Sequence, residues 1–242
     1  MSIAPSPSRP PKADEVEMLP PLVAGQRLDQ PTFHARYQAM PPHVRAELID
    51  GVVSMPSPLS REHCRASVFP LTWLDRFAEH TRGVELLDGA TVILGGRNEV
   101  QPDATLRVLP ECGGQTRDEK GYVAGAPELV VEVSRSSRYV DLGPKFDEYE
   151  RAGMLEYVVR SVEPDEVLWF AQQEGRFLRV APDADGLYRS RAFPGLWLDP
   201  AALLANDRAG VRVALDRGLA SPEHAAFVAR LAAARQEGEA RT

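Results

Sequence analysis

The chain has 242 residues, 43% apolar and 26% charged, with a net charge of −7 at neutral pH. That length allows one good core with small appendages, and the composition is that of an ordinary soluble globular protein. The negative balance excludes a protein that coats nucleic acid through general electrostatics, and no stretch has the length of a membrane helix or the apolar core of a signal peptide.

Met1 to Pro21 carries six prolines among small and charged residues, so a disordered tail is expected over 1–26. Pro31 to Met40 reads as a short helix, with Phe33 and Tyr37 four apart on one face. Ala46 to Met55 reads as a hairpin around Asp50-Gly51, because Asp-Gly between two apolar runs is a strong turn signal. Pro56-Ser-Pro-Leu-Ser60 ends that strand and offers Ser60 as a helix cap. A helix to about Glu79 follows, with Val68, Leu71, Leu74 and Phe77 on one buried face. Val84 to Leu94 is expected to form a second hairpin around Asp88-Gly89, before a strand near Asp103 and a polar loop from Pro110 to Gly125.

Glu128 to Ser134 is a Val- and Leu-rich strand buried on at least one face. Pro144 to Ala152 is a helix that begins with proline and stops at Gly153. Leu155–Arg160, Glu166–Ala171, Phe177–Ala181 and Leu187–Phe193 are further strands. A short helix is expected over Asp199–Leu204 and another from Pro222 to Glu239. The mixture predicts an α/β (α+β) fold, a mixed central sheet flanked by helices, with a main domain over 27–205 and a helical extension over 206–242. The extension is a candidate to pack on the core or to mediate a homodimer. Cys64 and Cys112 stand far apart without metal-ligand spacing, as expected of reduced thiols in a cytoplasmic protein.

Glu132 is the anomaly in this pattern. An ionised carboxylate in a buried apolar strand costs several kcal/mol unless a cation or donors meet it. Asp103, on a neighbouring strand, and Lys145, on the following helix, are the companions the chain offers. Two acids and a lysine together can hold a divalent metal and a polarised water, which points to phosphodiester hydrolysis. Mg²⁺, or Mn²⁺ in its place, prefers such hard oxygen ligands. The ligands expected are Asp103, Glu132 and the carbonyl of Val133, which adjoins the glutamate. Of 28 basic residues only Lys12, Lys120 and Lys145 are lysine. Where a generic positive charge would serve, this chain uses arginine, and that singles out Lys145.

A series of short motifs runs in order along the chain. It comprises Glu47-Leu-Ile-Asp-Gly51, Met55-Pro-Ser-Pro58 with His63, Pro102-Asp103, and Val130-Val-Glu-Val133 with Ser134 and Ser136. Asp141-Leu-Gly-Pro-Lys145 with Tyr149, Gly153 and Glu156-Tyr157, and Phe193-Pro-Gly-Leu196 complete it. The series resembles the Uma-type restriction-endonuclease family of the PD-(D/E)XK nuclease superfamily, over roughly Pro31 to Leu204. The resemblance implies a restriction-endonuclease-like fold and a Mg²⁺-dependent endonuclease acting on DNA. It also implies Glu47 as an additional acid near the metal, with Asp103, Glu132 and Lys145 as catalytic residues. The superfamily pattern places lysine two residues after the glutamate, where this chain has Ser134; in this family the following helix supplies it, and Lys145 matches. Two other readings compete: a catalytically inactive nuclease-like module that binds nucleic acid or protein, and a structural cation site. His63, Arg135 and Arg138 are secondary candidates for contacts to nucleic acid.

Overall fold

The structure, a computed structural model, describes residues 19–240. Most of the tail expected over 1–26 lies outside the described residues, but its last part is packed. Leu22 is buried, and the Gly25 amide donates to the Val53 carbonyl at 2.8 Å. A leucine that can reach an apolar pocket anchors the chain before residue 27.

Helix α1 (Gln30–Gln38) starts where the Asp29 carboxylate caps the Thr32 amide at 2.8 Å. Asp50 and Gly51 both take positive φ, 48° and 73°, the twist a two-residue hairpin requires. They join β1 (Glu47–Ile49) to β2 (Val52–Ser54). Helix α2 (Arg61–Glu79) begins as expected at Ser60, whose hydroxyl accepts from the His63 amide. The chain then forms β3 (Val84–Asp88), β4 (Val92–Ile93), β5 (Glu99–Val100), β6 (Ala104–Val108), β7 (Arg117–Glu119), β8 (Tyr122–Ala124) and β9 (Leu129–Ser134). Two helices follow, α3 (Arg138–Asp141) and α4 (Pro144–Ala152), and then β10 (Glu156–Ser161), β11 (Glu166–Gln173) and β12 (Arg176–Val180). A short pair, β13 (Tyr188–Arg189) and β14 (Trp197–Leu198), precedes α5 (Pro200–Leu204), α6 (Arg208–Leu219) and α7 (Pro222–Glu239). No helix among the described residues is long and apolar enough to cross a membrane.

The central sheet has the order β12-β11-β10-β9-β6-β3. It is mixed, because β9 and β10 run parallel while the other neighbours are antiparallel. Alternation along β9 divides the core. Leu129 and Val131 pack with Trp73, Phe77, Leu215 and Phe227 on one face, while Val130 packs with Tyr149, Tyr157 and Ile49 on the other. The second face is covered by α4 and by a small sheet of order β2-β1-β5-β4-β8-β7. This is the mixed α/β, restriction-endonuclease-like architecture.

Several elements differ from the sequence expectation. The segment 84–94 is not a hairpin: β3 pairs with β6, while β4 belongs to the small sheet. Gly89, at φ 58°, turns the chain from one sheet to the other, and apolar arms alone do not specify which strand they pair with. The loop expected over 110–125 contains the β7–β8 hairpin, turned at Lys120-Gly121 with positive φ at both residues. Of the strand expected over 187–193 only Tyr188–Arg189 is extended, because the backbone amides of Arg191 and Ala192 turn to the Glu156 carboxylate. The C-terminal extension is two helices, and Leu215, Phe227 and Leu231 join the main core.

Candidate active site

Strand β9 delivers two kinds of group to one place. The Glu156 amide of β10 and the Val162 amide just beyond it donate to the Glu128 and Ser134 carbonyls, so even-numbered residues of β9 direct their backbone toward β10. Odd-numbered residues direct theirs toward β6. Accordingly the Val133 amide donates to Asp103 Oδ2 at 2.7 Å, and the Val133 carbonyl lies on that same side. The Glu132 side chain shares the face of Val130 and meets α4. There Lys145 and Tyr149, one helical turn apart, both reach Glu132 Oε1, at 2.9 Å each. The described donors thus converge on one oxygen of this carboxylate.

Lys145 is only 4% exposed, which removes the reading of a solvated first-turn lysine. A cation in the first turn opposes the helix dipole, and two carboxylates outweigh that: Nζ lies 2.9 Å from both Glu132 Oε1 and Glu47 Oε1. Glu47 is buried at the start of β1 and also accepts the Gln101 amide at 2.7 Å. It is not an exposed strand residue. The small sheet therefore contributes one acid, the central sheet another, and α4 the ammonium between them.

Burial lifts the Glu132 carboxyl well above the usual range; Lys145 opposes that shift, while Asp141, Asp103 and Glu47 add repulsion. Burial alone would depress Lys145, yet Glu132, Glu47 and Asp141 together hold it well above its ordinary value, so it stays an ammonium. Asp141, buried at the end of α3, is also raised by burial, and its carboxylate accepts the Ser134 hydroxyl. His63 Nε2 approaches Asp103 Oδ1 at 3.4 Å, and hydrogen bonding to Asp103 raises the imidazole above its ordinary value.

These groups sit at a cleft of about 310 Å³. Glu47, Asp103, Asp141, Lys145 and His63 line it, and Glu132 lies behind Lys145. Among the described residues no three His, Cys, Asp or Glu side chains already converge as a metal cage. The donor set nonetheless fits a hard divalent cation. Glu47, Glu132 and Asp141 act on one ammonium and Asp103 lines the same cleft; their oxygens are hard ligands, and Mg²⁺ commonly takes one or two carboxylates and keeps several waters.

The four side chains singled out from sequence, Glu47, Asp103, Glu132 and Lys145, are thus brought together, with the Val133 backbone beside them. Arg135 also lines the cleft, whereas Arg138 pairs with Glu166 at 2.7 Å. Two further contributors, Asp141 and Tyr149, lie within the motif series, which by itself gives them no role. Tyr149 was findable from its spacing of four from Lys145; Asp141 had no local signal, because its partner Ser134 lies on a strand.

The Uma2 family, described as "Putative restriction endonuclease", matches residues 31–201. The chain belongs to this family. Its membership supports a nuclease function in general terms. The Uma2 chain is also similar to the crystal structure of a putative nuclease belonging to DUF820 from Anabaena variabilis, with a TM-score of 0.50 and 15% identity. That likeness covers 65% of this chain and 88% of the other, and it bears on the fold alone. No curated protein matches the chain.

Proposed function

We propose that this Uma2 chain is a metal-dependent endonuclease that hydrolyses phosphodiester bonds in DNA. The observation that carries the reading is the buried Lys145 ammonium, held between Glu47 and Glu132 in an open cleft that Asp103 also lines. A lone structural cation site has no use for a buried ammonium among its acids.

In this reading Asp103, Glu132 and the Val133 carbonyl hold Mg²⁺ or Mn²⁺. The bound ion supplies Lewis acidity and offsets charge on the phosphoryl oxygens. Lys145, kept protonated by its neighbours, donates hydrogen bonds to the attacking water or the phosphoryl group and offsets developing charge. Glu47 and Tyr149 position Lys145 and Glu132, and Asp103 is itself oriented by the Val133 amide.

The test is cleavage of supercoiled and single-stranded DNA with Mg²⁺ and with Mn²⁺, using Asp103→Ala as control. Metal-dependent strand breaks by wild type and none by the variant are expected. Cleavage that persists in Asp103→Ala, or that needs no metal, would overturn the site. Binding without cleavage under every metal condition would favour an inactive nucleic-acid-binding module.

A further inference from the structure

We infer that the cleft takes an unpaired polynucleotide strand, one nucleotide at the reacting position, rather than an intact duplex. The inference rests on the nuclease reading and names its substrate class.

At about 310 Å³ the cleft lies at the small end of ligand pockets, which span roughly 300–1,000 Å³. That is room for about one nucleotide at the reacting position. One wall is the segment from Met55 to Leu59, which belongs to no helix or strand. Met55 is 38% exposed and Leu59 49%, with Pro56 and Pro58 also exposed between them. Large apolar side chains left in water on the wall of a largely polar cleft are uncovered, and the flat face of an unstacked base would cover them.

Cations stand beside that wall. Arg45 lines the cleft, is exposed, and makes no ion pair or hydrogen bond among the described residues. Arg135 lines it as well and approaches only Glu62, at 3.6 Å. Two guanidinium groups and one apolar wall match the parts of a nucleotide, phosphate to the arginines and base to the wall.

A duplex offers the reverse. Its bases are stacked inside, and its affinity comes from many phosphate contacts along a broad basic surface. A chain of net charge −7 with two arginines at its cleft supplies few of these. Stacked bases would leave Met55 and Leu59 uncovered, so the reacting nucleotide must leave the stack or come from a strand without a partner.

The experiment compares one labelled sequence as a single strand, as a duplex, and as a duplex with a single-stranded gap. Cleavage by the full chain is measured with Mn²⁺, and binding by fluorescence anisotropy with Ca²⁺ in its place. At least tenfold preference for the single strand and the gap is expected in both. DNA and RNA versions of the strand identify which polymer carries the preference. The double variant Met55→Ser/Leu59→Ser should lose that preference while keeping the wild-type melting temperature.

Equal binding and cutting of the duplex, or a double variant that keeps the preference, would overturn the inference and leave the nuclease reading intact. Single-strand binding that depends on Met55 and Leu59 without any cleavage would sustain the strand preference and sink hydrolysis. No detectable binding of the single strand would overturn the inference.

Discussion

Glu132 on β9 and Glu156 on β10 are buried on neighbouring strands of one sheet, yet they are satisfied in opposite ways. Glu156 is closed by neutral donors: the Ser190 hydroxyl, the Arg191 amide at 2.7 Å and the Ala192 amide at 3.4 Å. Glu132 meets an ammonium and a phenol, with three further acids close enough to raise its carboxyl. Burial is common to both, so burial does not mark a site. What separates them is the surplus of negative charge around Glu132, which a fold has no structural reason to assemble.

The largest expected effect falls on the charged member of that comparison. Lys145→Ala should lower the rate of metal-dependent cleavage by about two orders of magnitude or more, the scale of a lost proton-transfer or charge-stabilising group. Lys145→Arg should rescue poorly, because a planar guanidinium differs in reach and in donor geometry from a compact ammonium. Single-turnover cleavage assays check both, and a Lys145→Ala chain that cuts at the wild-type rate would remove the lysine from the mechanism.

Glu156→Gln tests the neutral member. Burial raises the Glu156 carboxyl from 4.5 to about 7. A raised folded value gives a contribution that favours the fold below about 4.5 and is lost as pH rises through about 7. The amide should therefore flatten the fall in stability between pH 5 and pH 8 by something on the order of 3 kcal/mol, leaving cleavage unchanged. Urea unfolding at both pH values reads this directly; a wild-type slope in the variant would place the titration elsewhere.

Metal should act on Glu132 and leave Glu156 untouched. At about a hundred times its dissociation constant, Mg²⁺ or Mn²⁺ should add about 2.7 kcal/mol to the stability of wild type, seen as a rise in melting temperature. Asp103→Ala should abolish the rise, whereas Glu156→Gln should keep it. The smallest effect is expected from Tyr149→Phe. It removes one donor from the Glu132 carboxylate and should cost about 1–3 kcal/mol in denaturant unfolding. No measurable cost would show that Lys145 alone satisfies that oxygen.

Much of this was legible before the structure. Ser60 caps α2, Asp50-Gly51 turns the first hairpin, and Gly153 ends α4 in the left-handed region, each through chemistry local to a few residues. Glu132 was conspicuous because an acid in a valine run has to be explained by tertiary structure. Long-range pairing was not legible. The arms on either side of Gly89 are apolar enough for a hairpin, and only the register of β6 shows that β3 belongs to the central sheet. The β7–β8 hairpin escaped because Arg117 to Glu119 is exposed and polar, with no alternation to betray a strand. Asp141 escaped because the Ser134 hydroxyl that meets it comes from another element.

The position of Lys145 has a mechanical consequence. Its ammonium touches Glu47 on the small sheet and Glu132 on the central one, so a single side chain rivets two sheets across their seam. Any fluctuation that parts the sheets also dismantles the ammonium's cage, and anything that tightens the cage clamps the seam. Amide exchange along β1, the strand that carries Glu47, is therefore a gauge of the ammonium's cage.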